Sequence, residues 1–301
     1  MQRRSFLKAG VATCIATSGL PGGALPQIVL ANKRTDPMSR IAMSTVTFRF
    51  RFEQTNRDGK GDLLLTDVPE YYADRFKLRN IEFWSKHFES QKKPYLDQLK
   101  KKIAGARTKL INIQVDERYN LADPNDEHRK ASIKLCKGWV DTTAYLGAPS
   151  MRVNSGHGEM EPCVSAIKEV NAYAKSKGLI LLVENHGGIS ASPDDLLKLH
   201  AAVGSPNFRI LADFANWPPN VDIHEALKKI YPHTHLISAK TKEFNEMGEH
   251  ISFDFDRCVR LAEASGFKGI YSAEQWAAKN NPTNFEKASD WMIEHLKANI
   301  R

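Results

Sequence analysis

Leu181-Leu182-Val183-Glu184-Asn185-His186-Gly187-Gly188 decides the fold of this chain. The apolar run from Ile180 to Val183 reads as a buried parallel strand that ends in polar groups. Side chains two residues apart on a strand point to the same side, so Glu184 and His186 share a face. A buried carboxylate is costly unless it is paired, hydrogen-bonded or bound to a metal. The same grammar recurs downstream. Residues 208–218 carry Asp213, residues 235–244 carry Lys240 and residues 269–276 carry Glu274, each after an apolar run. One polar group at the end of each successive strand implies one site assembled from several strands.

These groups recur at intervals of 29, 27 and 34 residues, close to a βαβ repeat of roughly 30 residues. Upstream, β-rich segments fall at 41–50, 80–84, 110–115 and 150–154. Helical spacing covers 63–77, 95–106, 126–146, 161–177, 194–203, 224–230, 255–265 and 285–298. Arg49 and Arg51 suggest that the first strand ends early. Eight strand–helix units with no Pro/Gly-rich break predict a single-domain α/β fold, a (β/α)8 TIM barrel over residues 40–301, with its site at the carboxyl ends of the strands. A doubly wound open sheet is the alternative, disfavoured because no G-x-G-x-x-G follows the first strand and no P-loop occurs.

Residues 1–31 stand apart. Arg3-Arg4 precede Phe6-Leu7-Lys8, then a weakly apolar stretch from Ala9 to Leu20, then Val29-Leu30-Ala31 with small or apolar cleavage residues. This order predicts a twin-arginine signal peptide, cut near Ala31, and a periplasmic or exported protein. The stretch is too short and polar to span a membrane, so no stable membrane insertion is expected. Residues 32–39 form a polar leader. Because residues 1–31 hold Arg3, Arg4 and Lys8 and no acid, the formal charge falls from +8 to +5 without them. That excess is scattered over helix faces such as Lys92-Lys93 and Lys100–Lys102, which argues against a nucleic-acid partner. Cys136, Cys163 and Cys258 lie in helical patterns with no C-x-x-C pair and read as core residues, although an oxidising compartment allows one disulfide.

Three carboxylates in one barrel mouth, Glu184, Asp213 and Glu274, would repel each other unless a cation neutralised them. Oxygen donors of this kind suit Mn²⁺, Mg²⁺ or a similar divalent metal; separate capping of the following helices is the alternative. His186 is a candidate ligand, general acid or substrate donor. Lys240 shares a face with Ser238, and its cation suits an alkoxide or enediolate oxygen; a loop ion pair with Glu243 competes with that reading. Arg152, charged inside a strand-like segment, is a candidate for holding a hydroxyl, a carboxylate or an internal partner. His157, in a Gly-bounded turn, and Trp217 and Trp276, four and two residues after Asp213 and Glu274, are candidates for binding substrate, the tryptophans as apolar walls or as plain packing. Glu82 and His87 have weaker context. His233 and His235 face away from Lys240 by parity.

The segments LLVENHGG, ILADFANWP, ISAKTKEF and GFKGIYSAEQW resemble those of the xylose-isomerase-like barrels, the sugar phosphate isomerases/epimerases, and in particular their exported, twin-arginine-signalled members. The resemblance implies that Glu184 and Glu274 bind a divalent metal (Mn, Mg, Co or Zn) and act as the acid/base pair, with Asp213 as a further ligand. It places Asn216 where the epimerases often carry a substrate-contacting histidine. It places Ser238 where the seventh strand usually supplies a histidine ligand, leaving His186, Ser238 or water to complete the set. The implied activity is a metal-assisted sugar isomerase or epimerase. The alternatives are a lyase or hydrolase acting on 3-keto glycosides in the periplasm, or a non-catalytic sugar-binding barrel. A small carbohydrate is the expected partner, and the sequence leaves a homo-oligomer open.

Overall fold

A computed structural model describes residues 36–277, 281 and 283–301. The signal peptide expected at 1–31 and the first half of the leader at 32–39 lie outside the described residues. The strands are β1 (Ile41–Ser44), β2 (Asn80–Trp84), β3 (Lys109–Gln114), β4 (Ser150–Val153), β5 (Ile180–Glu184), β6 (Phe208–Asp213), β7 (Thr234–Thr241) and β8 (Ile270–Gln275). The helices are α1 (Val68–Arg75), α2 (Lys93–Gly105), α3 (Asp126–Leu146), α4 (Met160–Ser176), α5 (Pro193–Val203), α6 (Ile223–Ile230), α7 (Phe255–Ala264) and α8 (Phe285–Asn299). Each strand pairs in parallel with the next, and β1 closes on β8 through Ile41–Tyr271 and Met43–Ala273. The chain is therefore the closed barrel that the sequence predicts, and closure leaves no strand edge unpaired.

Alternation along the strands fills the barrel in layers. Ala42, Leu182, Leu211 and Leu236 form an apolar plug inside the barrel, while the larger core lies between strands and helices. One step up the strands the interior turns polar. Glu82 accepts from Asn112 Nδ2 at 2.7 Å and from Ser272 Oγ at 2.5 Å, and Ser150 donates to Asn112 Oδ1 at 2.9 Å. Hydrogen bonding makes these buried groups tolerable. The next step brings Gln114, Arg152, Glu184, Asp213, Lys240 and Glu274 to the carboxyl ends.

Two expectations are corrected here. The strand expected over 41–50 stops at Ser44, whose hydroxyl accepts from Val46 N and turns the chain into a tight 3-10 segment, Thr45–Arg51. Arg49 then anchors this segment on the carbonyls of Gln275, the last residue of β8, and Ala277, just past it. The first helix starts at Val68 rather than 63, with Pro69 in its first turn, where a missing N–H costs nothing. Cys136, Cys163 and Cys258 are separate buried thiols, so no disulfide joins them.

Candidate active site

A cavity of about 500 Å³ opens at the carboxyl ends of the strands. Trp84, Gln114, Asp116, Arg152, His186, Asn216, Lys240, Glu274 and Trp276 contribute to its lining. Trp84 and Trp276 meet edge to face at 6.4 Å between ring centres and form one wall.

Two cations organise the carboxylates. Lys240, on β7, is opposite Glu274 of β8 in register. Its Nζ lies 2.8 Å from Glu274 Oε1, 3.3 Å from Asp213 Oδ2 and 3.0 Å from Asn216 Oδ1. Burial works against this ammonium, yet Asp213, Glu274 and Glu184 together hold its pKa well above the ordinary lysine value. Arg152, on β4, makes a two-pronged bond to Asp116 and lies 2.8 Å from Glu184 Oε2 through Nε. The Lys240–Asp213 and Arg152–Glu184 contacts are charge contacts, because neither has the alignment of a hydrogen bond. Burial alone would raise the Asp116 carboxyl, but Arg152 holds it well below the usual carboxylate range.

The remaining acceptors are also engaged. Glu274 Oε2 accepts from Gln114 Nε2 at 2.9 Å, and Glu184 Oε1 accepts from Asn216 Nδ2 at 2.8 Å. Asp213 Oδ1 takes the backbone N–H groups of Ala215 and Asn216 at 2.7 and 2.9 Å, which folds the turn after β6. Asn216 therefore bridges Glu184 to Lys240. Burial pushes the Glu184 carboxyl well above its usual range, against the pull of Arg152. His186 stands open at the mouth, and its ring makes no hydrogen bond among the described residues. The surrounding walls and Arg152 lower its pKa, so the imidazole is neutral at pH 7.

The strand ends that the sequence singles out converge at one end of the barrel, but not all of their side chains reach the cavity. Glu184 and Asp213 lie beneath the cavity floor, at 1% and 0% exposure, while Glu274 and Lys240 reach its surface. Trp217 is buried in the core and is no substrate wall, because the Asp213 turn directs it inward. His157 is exposed on its turn, where its backbone N–H and carbonyl both bond to Asn120, and it does not line the cavity. Ser238 is fully buried, with its hydroxyl unpartnered, and does not reach the cavity. Glu82 lies in the polar layer within the barrel, and His87 stacks on Phe52 at 3.7 Å. Asp116 and Trp84 were not among the expected site residues. Both stand at strand ends, the position that marked Glu184, and Trp84 Nε1 donates to Asp116 at 2.6 Å.

The divalent metal expected on Glu184, Asp213 and Glu274 does not fit this donor set. Lys240 lies among the oxygens that would bind it, Gln114 and Asn216 take others, and His186 is turned to the open mouth. Among the described residues no three His, Cys, Asp or Glu side chains are placed to share an ion.

The fold has solved relatives. A putative xylose isomerase from Rhodospirillum rubrum matches with a TM-score of 0.68 at 14% identity, over 87% of this chain and 99% of that one. A xylose isomerase-like TIM barrel protein from Mycobacterium smegmatis, in complex with magnesium, matches at 0.64 and 13%, over 87% and 98%. The 3-keto-D-glucoside 4-epimerase of E. coli matches at 0.62 and 11%, over 84% and 98%. Identities this low establish the fold alone. No curated protein matches the sequence. The family model described as xylose isomerase-like TIM barrel matches residues 72–295, and this chain belongs to that family.

Proposed function

We propose that the protein is an isomerase or epimerase of small keto-sugars that moves a proton next to a carbonyl. The observation that carries this reading is the pairing of a carboxylate and a fixed cation, Glu274 and Lys240, on one cavity wall. Glu274 takes the proton from the carbon beside the carbonyl. The bonding pair moves onto the carbonyl oxygen, giving an enediolate. Lys240 and Arg152 face that oxygen and stabilise its charge, a contribution that grows as the charge develops. For isomerisation Glu274 returns the proton to the former carbonyl carbon while the hydroxyl proton on its neighbour passes to the enolate oxygen. For epimerisation a solvent proton entering past His186 adds to the opposite face, and Glu274 gives its own proton up to solvent. Glu184, beneath the floor, holds Arg152 and Asn216 in place. The cavity volume is within the range of about 300–1,000 Å³ usual for small ligands, and Trp84 and Trp276 offer apolar faces to a sugar's C–H groups. Export by the twin-arginine route is part of the proposal.

A second reading has its own support. Trp84 and Trp276 also line a neighbouring cavity of about 780 Å³, beside Arg49 and Lys242, which offers room for an aglycone. With a 3-keto glycoside, the same proton abstraction at C2 would be followed by loss of the aglycone oxygen from C1, forming a C1–C2 double bond. Incubation of keto-sugars and 3-keto glycosides in deuterated water tests both. Label at the carbon next to the carbonyl, lost in Glu274→Gln along with roughly 10²–10⁴-fold in turnover, is the expected result. Released aglycone identifies the second reading. Conversion without label, by a fully active Glu274→Gln, would refute both.

A further inference from the structure

Three strand-end carboxylates need a cation, and this chain supplies its own. Lys240 Nζ has three oxygens around it, Glu274 Oε1, Asp213 Oδ2 and Asn216 Oδ1, at 2.8–3.3 Å. The Asp213 contact is one of charge alone, so of the three N–H donors of an ammonium one stays available to a ligand. The oxygens come from β8, from β6 and from the turn after β6. Lys240 itself is only 5% exposed, so its charge is met chiefly by these oxygens. A divalent ion held by Asp213 and Glu274 would sit about 2.0–2.6 Å from their oxygens and hence close to the ammonium. At that range two like-charged centres repel strongly in a water-poor site. Arg152 repeats the arrangement one layer across, between Asp116 and Glu184.

We infer that the Lys240 ammonium, seated between Asp213 and Glu274 and tied to Asn216, holds the place of a divalent cation in this barrel and excludes one. The site is then neutralised from within. A ligand oxygen meets an N–H donor there instead of entering the coordination sphere of an ion. The inference rests on the geometry of the charges and stands whichever reaction the site performs.

Manganese alone, titrated into the full-length purified protein and followed by the electron paramagnetic resonance of free Mn²⁺, tests it without substrate. The wild type is expected to leave the free-ion signal undiminished. Lys240→Met, which keeps the stem and removes the charge, is expected to capture one equivalent, and Lys240→Met with Asp213→Asn to lose it again. A wild type that captures one equivalent, lost in Asp213→Asn, overturns the inference. A folded Lys240→Met protein that captures none also overturns it, because the ammonium would then not be what keeps the ion out. Should Lys240→Met fail to fold, Lys240→Gln replaces it under the same criteria, and the wild-type titration decides by itself if neither folds. Product formation by Glu274→Gln, by contrast, bears only on the proposed reaction.

Discussion

Glu82 shows how a single residue couples the interior of this barrel to pH. Burial pushes its carboxyl up to about 7, against the pull of its bonds from Ser272 and Asn112. The folded state thus holds the Glu82 proton more tightly than the unfolded chain. The stabilisation is complete below the ordinary value of 4.5 and is lost as pH rises through about 7. The loss is about 3 kcal/mol over that window. Glu82→Gln does not titrate, so its melting temperature relative to wild type should climb between pH 4.5 and 7 and level off above; a pH-independent difference would show that Glu82 is ionised throughout. At the mouth, residue roles separate by position. His186→Asn should slow epimerisation while solvent exchange at Glu274 continues, since only the opposite-face entry of the solvent proton is altered. Glu184→Gln should raise KM more than it lowers kcat, because Arg152 and Asn216 lose their anchor while Glu274 stays on the wall. Equal losses of kcat in both glutamate variants would instead make Glu184 a proton-transfer group. The strand-end acids were legible because an apolar run stopping at a carboxylate is a local signal. Which of them reach the cavity was not, since that depends on Arg152 from β4 and Asn216 from the turn after β6 covering Glu184.

At the scale of elements, the turn after β5 explains why a glycine pair follows His186. Gly188 has φ +54°, and a Cβ there would lie 1.9 Å from the carbonyl oxygen of Gly156, in the turn after β4. That carbonyl accepts from Ile189 N at 3.1 Å, so the two turns are fastened together beside the site. Gly188→Ala should therefore cost about 3 kcal/mol, from backbone strain and a clash with main chain that has no flexible end to move. Gly147, at the end of α3, has φ +80° but open space around it, and Gly147→Ala should cost only about 1 kcal/mol. Chemical denaturation of both variants checks the order, and equal costs would mean that the contact between turns relaxes. Elements with strong local signals stand where the sequence puts them. Helix α3 runs over Asp126–Leu146 as expected, with the Asn125 side chain accepting from Glu127 N and His128 N at one end and Gly147 at the other. Strand β2 also matches at Asn80–Trp84. The segment after β1 has the pattern of a strand without being one: Val46, Phe48 and Phe50 alternate as a strand would. The Ser44 cap and the seat of Arg49 on carbonyls at the end of β8 override that pattern, and a contact between residues so distant in sequence has no local signature.

At the scale of the molecule, closure joins the first strand to the last. Ile41 pairs with Tyr271 and Met43 with Ala273, so the barrel is complete only when most of the chain has been made. Pairing over such a separation is slow, because the loop-closure entropy is spent before the contacts form. The exposed strand edges of the partly folded chain would meanwhile be open to aggregation. A route that carries already folded protein suits such a topology, and Arg3-Arg4 at the head of an apolar stretch is its expected address. Cutting near Ala31 would leave β1, which begins at Ile41, intact. Replacing Arg3-Arg4 with Lys-Lys keeps the charge and removes the guanidinium pair. The barrel should then fold as before and stay in the cytoplasm, as fractionation of cells expressing each form would show. If the Lys-Lys protein reaches the periplasm as efficiently as the wild type, the address is not a twin-arginine one, and a barrel exported unfolded would have to close after translocation.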